Sequence, residues 1–320
     1  MKHEPQTLMD AIRFFADERV ALDFVATLRW PNGVACPTCG SLDVTFIPSV
    51  QRWNCKEKHA RKQFSVKNGS IMEDSPIPLD KWLATMWLIA NAKNGVSSYE
   101  VARSIAVTQK SAWFMLHRIR LAMEDGTFNK MNGIVEADET YIGGKARNMH
   151  KAKRDEVLKD GHAGMVGKAA VMGFIQRSDE PGKSRVRATT IADAKRSTLD
   201  PKVRQTVAEG SILFTDGAGG YRFLGDDYNH SVVNHDAGEY VRGEVHTNAI
   251  ENFWSLLKRG LHGTYISVEP FHLFRYLDEQ VFRFNSRDLS DGDRFLALVR
   301  SIAGKRLTYD QLISSGTTPA

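Results

Sequence analysis

Apolar positions recur at helical spacing through the first 30 residues, and this pattern predicts an N-terminal helical segment. The positions concerned are Leu8, Ile12, Phe15, Val20, Phe24, Val25 and Leu28. The stretch "WPNGVACPTCG" then ends the pattern, because its prolines and glycines favour turns over helix. Residues 34–67 are expected to form short strands and tight turns around their cysteines.

Helical patterns return between residues 78 and 124. "PLDKWLATMWLIANAKNG" predicts a helix that begins after a proline and stops at a glycine. "SSYEVARSIAVTQKSAWFMLHRIRLAM" predicts two more helices, divided near Val107 to Gln109. A short helix, a tight turn and a second helix are typical of a helix-turn-helix. A helical bundle without a DNA-binding role gives the same pattern.

Strands and helices alternate after residue 133. "GIVEADETYIGG", "KAAVMGFIQR" and "SRVRATTIADA" predict three strands, and "SILFTDG" and "HSVVNHD" two more. A helix is expected over about 195–208, and "HTNAIENFWSLLKRGL" and "EPFHLFRYLDEQVFRFNSR" predict two later helices. The fold class is therefore α/β, with a mixed sheet flanked by helices.

These changes of pattern divide the chain of 320 residues into five regions. They are a helical segment (1–30), a cysteine-containing ribbon (31–70), a helix-turn-helix region (71–130), an α/β catalytic domain (131–290) and a C-terminal tail (291–320). The composition, 42% hydrophobic and 25% charged, is that of a folded globular protein and excludes the disordered and fibrous classes.

Charge and cysteine content narrow the possible partners and compartment. The net charge of +5 and the pI of about 9.0 favour a polyanionic partner without proving one. No signal peptide is evident, and the apolar run from Trp82 to Ala90 is too short to span a bilayer. Three cysteines within one short segment favour a metal site in a reducing cytoplasm over a disulfide framework.

Three acidic residues form the strongest chemical signal. Asp138 and Asp216 lie at the ends of predicted strands, the second directly before a Gly-rich turn, and Glu251 lies near the start of a predicted helix. Carboxylates from separate elements are what two Mg²⁺ (or Mn²⁺) ions require for phosphodiester chemistry. Alternation along the first strand places Glu136 and Asp138 on one face.

A structural role is the alternative for each acid taken singly. Asp216 before glycine is an ordinary turn signal, and Asn248 with Glu251 fits a helix capping box. Lys258 lies two helical turns after Glu251, where it can steady a phosphate or simply face solvent. The joint placement of the acids, behind a region typical of DNA-binding proteins, favours metal catalysis.

The chain resembles the bacterial insertion-sequence DDE transposases that carry an N-terminal zinc ribbon. The resemblance covers nearly the whole sequence and rests on long motifs in a fixed order. They are "CPTCG", "RKQFSVKNGSI", the helical region that begins "PLDKWLATMW", "EADETYIGGK", "TDGAGGY", "HTNAIENFWSLLKRG" and "FRFNSR". It implies a ribonuclease-H-like catalytic core that binds two Mg²⁺ or Mn²⁺ ions.

Matched residue by residue, the family's catalytic acids fall on Asp138, Asp216 and Glu251, and its basic residue on Lys258. Glu139 is expected to point to the opposite face from Asp138. Because some members use another residue at the third position, three neighbours are alternatives to Glu251, namely Glu244, His246 and Asn248.

The family's reaction and partners are carried over as expectations. Such enzymes cut transposon ends with an activated water and then join the freed 3′ hydroxyl to target DNA. The expected partners are therefore double-stranded DNA, as terminal inverted repeats and as target, and further copies of the chain in a dimer or higher oligomer. The expected location is the bacterial cytoplasm, in association with the nucleoid.

The ribbon departs from the family at one position. Cys36 and Cys39 supply the C-x-x-C half of a structural zinc site and Cys55 a third ligand. The resemblance puts the fourth cysteine where this chain has Ala60, so the adjacent His59 is the predicted replacement. The alternative is a metal-free ribbon held by Phe46, Trp53 and Phe64.

Residues in three places, all but Ser111 basic, are predicted to contact DNA, since cations supply most sequence-independent affinity. They are Arg61 and Lys62 in the ribbon, Lys145, Arg147 and Lys151 after the first catalytic strand, and Lys110 and Ser111 at the start of the second helix of the pair. Solvated surface charge is the alternative.

Two other functions fit the same sequence: an inert sequence-specific DNA-binding protein and a structure-specific nuclease.

Overall fold

A computed structural model describes residues 4–126, 129–143, 168–178, 180, 183–216, 221, 224–233, 241–266 and 268–314. The chain divides into two compact units. The first contains residues 1–124 and 289–320, and the second residues 125–288. No helix in the described ranges combines the length and apolar character needed to cross a membrane.

Ten α-helices and eight strands are described, in addition to short turns of other helix types. The helices are α1 (Leu8–Phe15), α2 (Glu18–Arg29), α3 (Leu79–Asn91), α4 (Ser98–Ile105), α5 (Gln109–Met123), α6 (Arg196–Thr206), α7 (Asn248–Gly260), α8 (Leu273–Asn285), α9 (Asp291–Arg300) and α10 (Tyr309–Ile313). The strands are β1 (Val44–Ile47), β2 (Arg52–Cys55), β3 (Gln63–Phe64), β4 (Ile134–Ile142), β5 (Ala169–Gln176), β6 (Arg185–Ile191), β7 (Ile212–Asp216) and β8 (Asn229–Val233).

The N-terminal segment contains two helices instead of one. Asp17 interrupts the pattern, because its side chain accepts hydrogen bonds from the backbone N–H groups of Arg19 and Val20 and so starts α2. The ribbon follows as an antiparallel sheet in the order β1-β2-β3. This agrees with the short strands and turns predicted for residues 34–67.

The predicted helix pair is present as α4 and α5. Ala106 ends α4 in the left-handed conformation, and Thr108 caps α5 by accepting a hydrogen bond from the backbone N–H of Ser111. The turn is therefore short and fixed at both sides. The segment expected to be a C-terminal tail contains α9 and α10, and α9 packs on α3 through Phe295 and Trp87, whose rings lie 5.1 Å apart.

The second unit is built on a five-stranded mixed sheet in the order β6-β5-β4-β7-β8. β4, β5 and β6 are antiparallel neighbours, whereas β7 and β8 run parallel to β4. The mixed α/β sheet predicted from the alternating pattern is confirmed. Helices cover both faces of the sheet, so β5 is apolar on both faces, whereas the central strand β4 carries acidic residues among its apolar ones.

Two apolar clusters hold the sheet between these helices. On one face α7 and α8 pack Phe253, Trp254 and Leu277 against β5. On the other face α6 packs Leu199 and Val203 against β4 and β7. Apolar packing on both sides thus fixes the central strand β4, which positions the acidic residues in the middle of that strand.

Candidate metal centres

The ribbon brings four potential zinc ligands together. The ligand atoms of Cys36, Cys39, Cys55 and His59 all lie within 4.8 Å of one another. His59 Nε2 lies 3.5 Å from Cys36 Sγ, and the Sγ atoms of Cys39 and Cys55 are 3.6 Å apart. Three thiols and one imidazole around a common point are a donor set that suits tetrahedral Zn²⁺.

A tight turn forms the C-x-x-C half of this site. Gly40 donates its N–H to the Cys36 carbonyl at 2.8 Å and has φ +76°, a conformation that favours glycine. Burial raises the pKa of Cys36, but hydrogen bonds with the backbone of Cys39 and Thr38 and with the side chains of Cys39 and Cys55 together lower that pKa to about 7. The turn therefore favours the thiolate form, which is the form that binds metal.

Aromatic packing also supports the ribbon. The Trp53 ring lies 5.1 Å from the Phe46 ring and 6.1 Å from the Phe64 ring, measured between centroids. These are the residues named for a ribbon without metal. The aromatic packing and the ligand cluster are both present in the ribbon.

We expect His59→Ala to lose zinc that the parent keeps during dialysis against a chelator. The variant would retain three thiolates and an open fourth position, which weakens a structural zinc site. Zinc content measured by elemental analysis checks this, with exposed Lys58→Ala as the matched control. Equal zinc retention by His59→Ala and the parent would remove His59 from the ligand set.

A second centre lies where β7 ends beside the middle of β4. Asp216 ends β7 as predicted, but Asp138 does not end its strand, because β4 continues to Ile142 in its pairing with β5. The parallel register pairs Ala137 with Thr215, so Asp138 and Asp216 follow as neighbours on adjacent strands. A carboxylate oxygen from each lies within 4.8 Å of the other and of an oxygen of Glu139. The structure therefore brings the two predicted aspartates together.

Glu139 joins this group although its hydrogen-bond partner and that of Asp138 belong to opposite sides of the sheet, which agrees with the predicted orientation. The Trp254 indole donates to Asp138, and the hydroxyl of Tyr221 donates to Glu139 Oε1. The Glu139 carboxylate nevertheless lies within 4.8 Å of the two aspartates.

Burial and neighbouring negative charges raise the pKa values of two acids in this centre. Burial, followed by the charge of Asp216, raises the pKa of Asp138 to about 6. Burial, followed by the charges of Asp138 and Asp216, raises the pKa of Glu139 to about 8. A divalent cation would relieve this repulsion, and hard cations such as Mg²⁺ prefer carboxylate oxygens.

Glu251 approaches the centre from the first turn of α7. It lies outside the group of three, but its charge contributes to the raised pKa of Asp138. The capping box with Asn248 is not formed, because Thr247 precedes the helix and its hydroxyl donates to Glu251 Oε1 at 3.1 Å. Lys258 is half-buried on the same helix, and within the described residues it has no ion-pair partner.

The amino end of α7 is capped by a residue of the central strand. Glu136 is fully buried, and its Oε2 accepts hydrogen bonds from the N–H groups of Ala249 and Ile250 at 2.9 and 3.0 Å. Its Oε1 binds Arg177 Nε at 2.7 Å, and Arg177 also contacts His246. Sequence reasoning placed Glu136 on the face of Asp138 but gave it no role.

The predicted DNA contacts are surface residues wherever the structure describes them. Arg61, Lys62 and Lys110 are exposed, and Ser111 is half-buried beside the Thr108 hydroxyl. Lys145, Arg147 and Lys151 lie outside the described residues. Lys67, part of the same basic stretch of sequence as Arg61, donates instead to the carbonyls of Ser75 and Ile77 and is structural.

Two segments of the chain match known protein families. Residues 130–285 match the ISXO2-like transposase domain, and residues 16–61 match the transposase zinc-ribbon domain. The first segment contains the whole carboxylate centre, and the second contains Cys36, Cys39, Cys55 and His59.

Two relatives are similar to the chain over different lengths. An uncharacterized protein in transposable element ISH50 of Halobacterium salinarum is 29% identical over 260 residues, which are 79% of this chain and 86% of the relative. An uncharacterized transposase-like protein of Haemophilus influenzae is 29% identical over 108 residues, which are 33% of this chain and 86% of that protein.

Proposed function

Because the chain belongs to the insertion-sequence transposases that carry an N-terminal zinc ribbon, we propose that it binds transposon-end DNA, cleaves it by metal-assisted hydrolysis and joins the 3′ hydroxyl ends to target DNA. The observation that carries this proposal is the parallel register of β4 and β7, which sets Asp138 beside Asp216. Glu251 on α7 is the third catalytic acid.

The catalytic unit is assigned a ribonuclease-H-like fold. Three consecutive antiparallel strands, β4 to β6, are followed by two strands parallel to β4 on its other side, with helices on both faces. This arrangement is the one expected for the core that the resemblance implies. The acids of β4 and β7 lie together where β7 ends, and this is where we expect a phosphodiester to bind.

Asp138, Asp216 and Glu251 would hold two Mg²⁺ or Mn²⁺ ions. Ions bound there would activate the attacking oxygen and stabilise the leaving one. In the first step a water oxygen attacks phosphorus at the transposon end, and the bond from phosphorus to the 3′ oxygen breaks. In the second step the freed 3′ hydroxyl attacks a target phosphodiester and displaces another 3′ oxygen.

The protein's own residues orient the DNA for both steps. Lys258, without an ion-pair partner among the described residues, is placed on the helix of Glu251 to bind a phosphate oxygen. Arg61, Lys62, Lys110 and Ser111 are assigned to the DNA backbone or base edges, and Lys145, Arg147 and Lys151 to the same task from the segment after β4. Two ends must be joined together, so the active form is at least a dimer.

Strand transfer with pre-cleaved end DNA and a plasmid target tests the function as a whole. A transposase produces joined molecules that depend on Mg²⁺ or Mn²⁺. Metal-dependent cleavage without joining would indicate a structure-specific nuclease instead. DNA binding with neither activity would indicate an inert DNA-binding protein.

We expect Lys258→Ala to reduce strand transfer about tenfold or more, because one cationic contact to a phosphate contributes about 1.5–3 kcal/mol where it is partly shielded from water. Joining rates at saturating metal check this. Arg259→Ala is the matched control, since Arg259 is the next residue of the helix and is exposed. A loss of the same size in both variants would mean that Lys258 supplies only general charge.

A further inference from the structure

A tryptophan of α7 binds one of the catalytic aspartates directly. Trp254 is almost fully buried, and its indole Nε1 donates a hydrogen bond of 2.9 Å to Asp138 Oδ2. An indole N–H only donates, so this contact requires an accepting carboxylate oxygen on Asp138. The bond restricts rotation of the Asp138 carboxylate about its Cβ–Cγ bond. It involves Oδ2 only, so Oδ1 does not bind the indole.

The neighbouring strand is shaped to admit this indole ring. Gly173 of β5 lies directly opposite Asp138 in the antiparallel register. A Cβ atom at residue 173 would lie 2.5 Å from Trp254 Cη2 and 2.6 Å from Cζ2, and 2.9 Å from Ile250 Cδ1. Contacts so short require the ring or the strand to move, so we expect any side chain at this position to disturb the contact of Trp254 with Asp138.

The same tryptophan connects two catalytic elements. It lies three residues after Glu251, on the face of α7 that packs on the sheet. The strand that carries Asp138 and the helix that carries Glu251 are thereby joined at the centre itself. Each of these contacts involves described residues of the second unit only.

We propose that Trp254 is a positioning residue for Asp138. Residue 173 is glycine because a side chain there would occupy the space of the indole ring. The inference rests on the proposed function, because it assigns the orientation of a metal-binding carboxylate. Partners that orient a metal ligand from outside the ligand set alter metal affinity or activity about 10- to 100-fold when they are removed. The effect is expected on the binding of the metal itself, before any DNA is present.

Calorimetric titration of the zinc-loaded full chain with Mn²⁺ tests this. The difference in binding heat between the parent and Asp216→Ala measures Mn²⁺ binding at the carboxylate centre. We expect Trp254→Phe, which keeps an aromatic ring but loses the donor, to bind Mn²⁺ at this centre about 10- to 100-fold more weakly than the parent. Phe253→Leu is the control, because Phe253 is a buried neighbour in the same apolar cluster.

Gly173→Ala provides a second, independent route to the same result. It retains the indole but displaces it, so its Mn²⁺ affinity should fall in the same direction while Phe253→Leu stays close to the parent. Parent-like affinity in both Trp254→Phe and Gly173→Ala would overturn the inference. An equal loss in Phe253→Leu would also overturn it, since general packing would then explain the effect. Failure of the parent to bind Mn²⁺ would instead overturn the proposed function.

Discussion

Asp216→Ala is expected to bind transposon-end DNA as the parent does and to join none of it to a target. The substitution removes one of the two aspartate carboxylates that lie within 4.8 Å of each other. A metal ion contributes several kcal/mol of stabilisation to developing charge in the transition state, so its loss should lower the joining rate by about a thousandfold or more. The measurement is strand transfer of pre-cleaved end DNA, with binding followed by gel shift.

Asp226→Ala is the matched control for this experiment. Asp226 is an exposed carboxylate of the same unit, and its removal changes the net charge by the same amount. It should join DNA at the parental rate. Joining by Asp216→Ala at the rate of the control would contradict both the assignment of the carboxylate centre and the function proposed from it.

The strands that carry the two aspartates could be predicted from local patterns. The apolar runs before Asp138 and Asp216 indicate strands, and Asp216 does end its strand, whereas β4 continues past Asp138 to Ile142. The α/β class followed from the alternation of strand and helix patterns. The register that makes Asp138 and Asp216 neighbours is a pairing of distant segments, and a pattern within one segment does not contain it.

The residues that sequence reasoning missed depend on such distant contacts. The Glu139 carboxylate lies in the centre, although its position in the alternation assigned it to the other face of the sheet. Trp254 resembles any apolar residue of an amphipathic helix until Asp138 is seen beside its indole nitrogen. The need for glycine at position 173 is evident only from the Trp254 ring that packs against it.

The zinc ribbon departs from the family motif at one ligand position, but the replacement ligand could still be predicted. Ala60 removes an expected ligand, and spacing alone made the adjacent His59 the replacement. The structure places His59 Nε2 beside Cys36 Sγ, so the geometric part of that prediction is confirmed. The division of the N-terminal segment was missed because the cap at Asp17 is a single polar residue within a continuing helical pattern.

Glu136→Ala is expected to destabilise the second unit by about 3–5 kcal/mol, the usual cost of removing one partner from a buried ion pair. The Glu136 side chain is fully buried, whereas that of Arg177 is 19% exposed. The substitution would leave the Arg177 guanidinium without its carboxylate and the N–H groups of Ala249 and Ile250 without their acceptor. It would also release the end of α7 that carries Glu251 from the strand that carries Asp138.

Hydrogen exchange of the backbone amides of β4 and β5 measures this effect within the unit concerned. Glu136→Gln should lose less stability than Glu136→Ala, because an amide oxygen can still accept from the helix while the charge is gone. Glu180→Ala, at an exposed position of the same unit, should leave protection unchanged. If Glu136→Ala kept the protection of this control, the buried carboxylate would not be what holds α7 to β4.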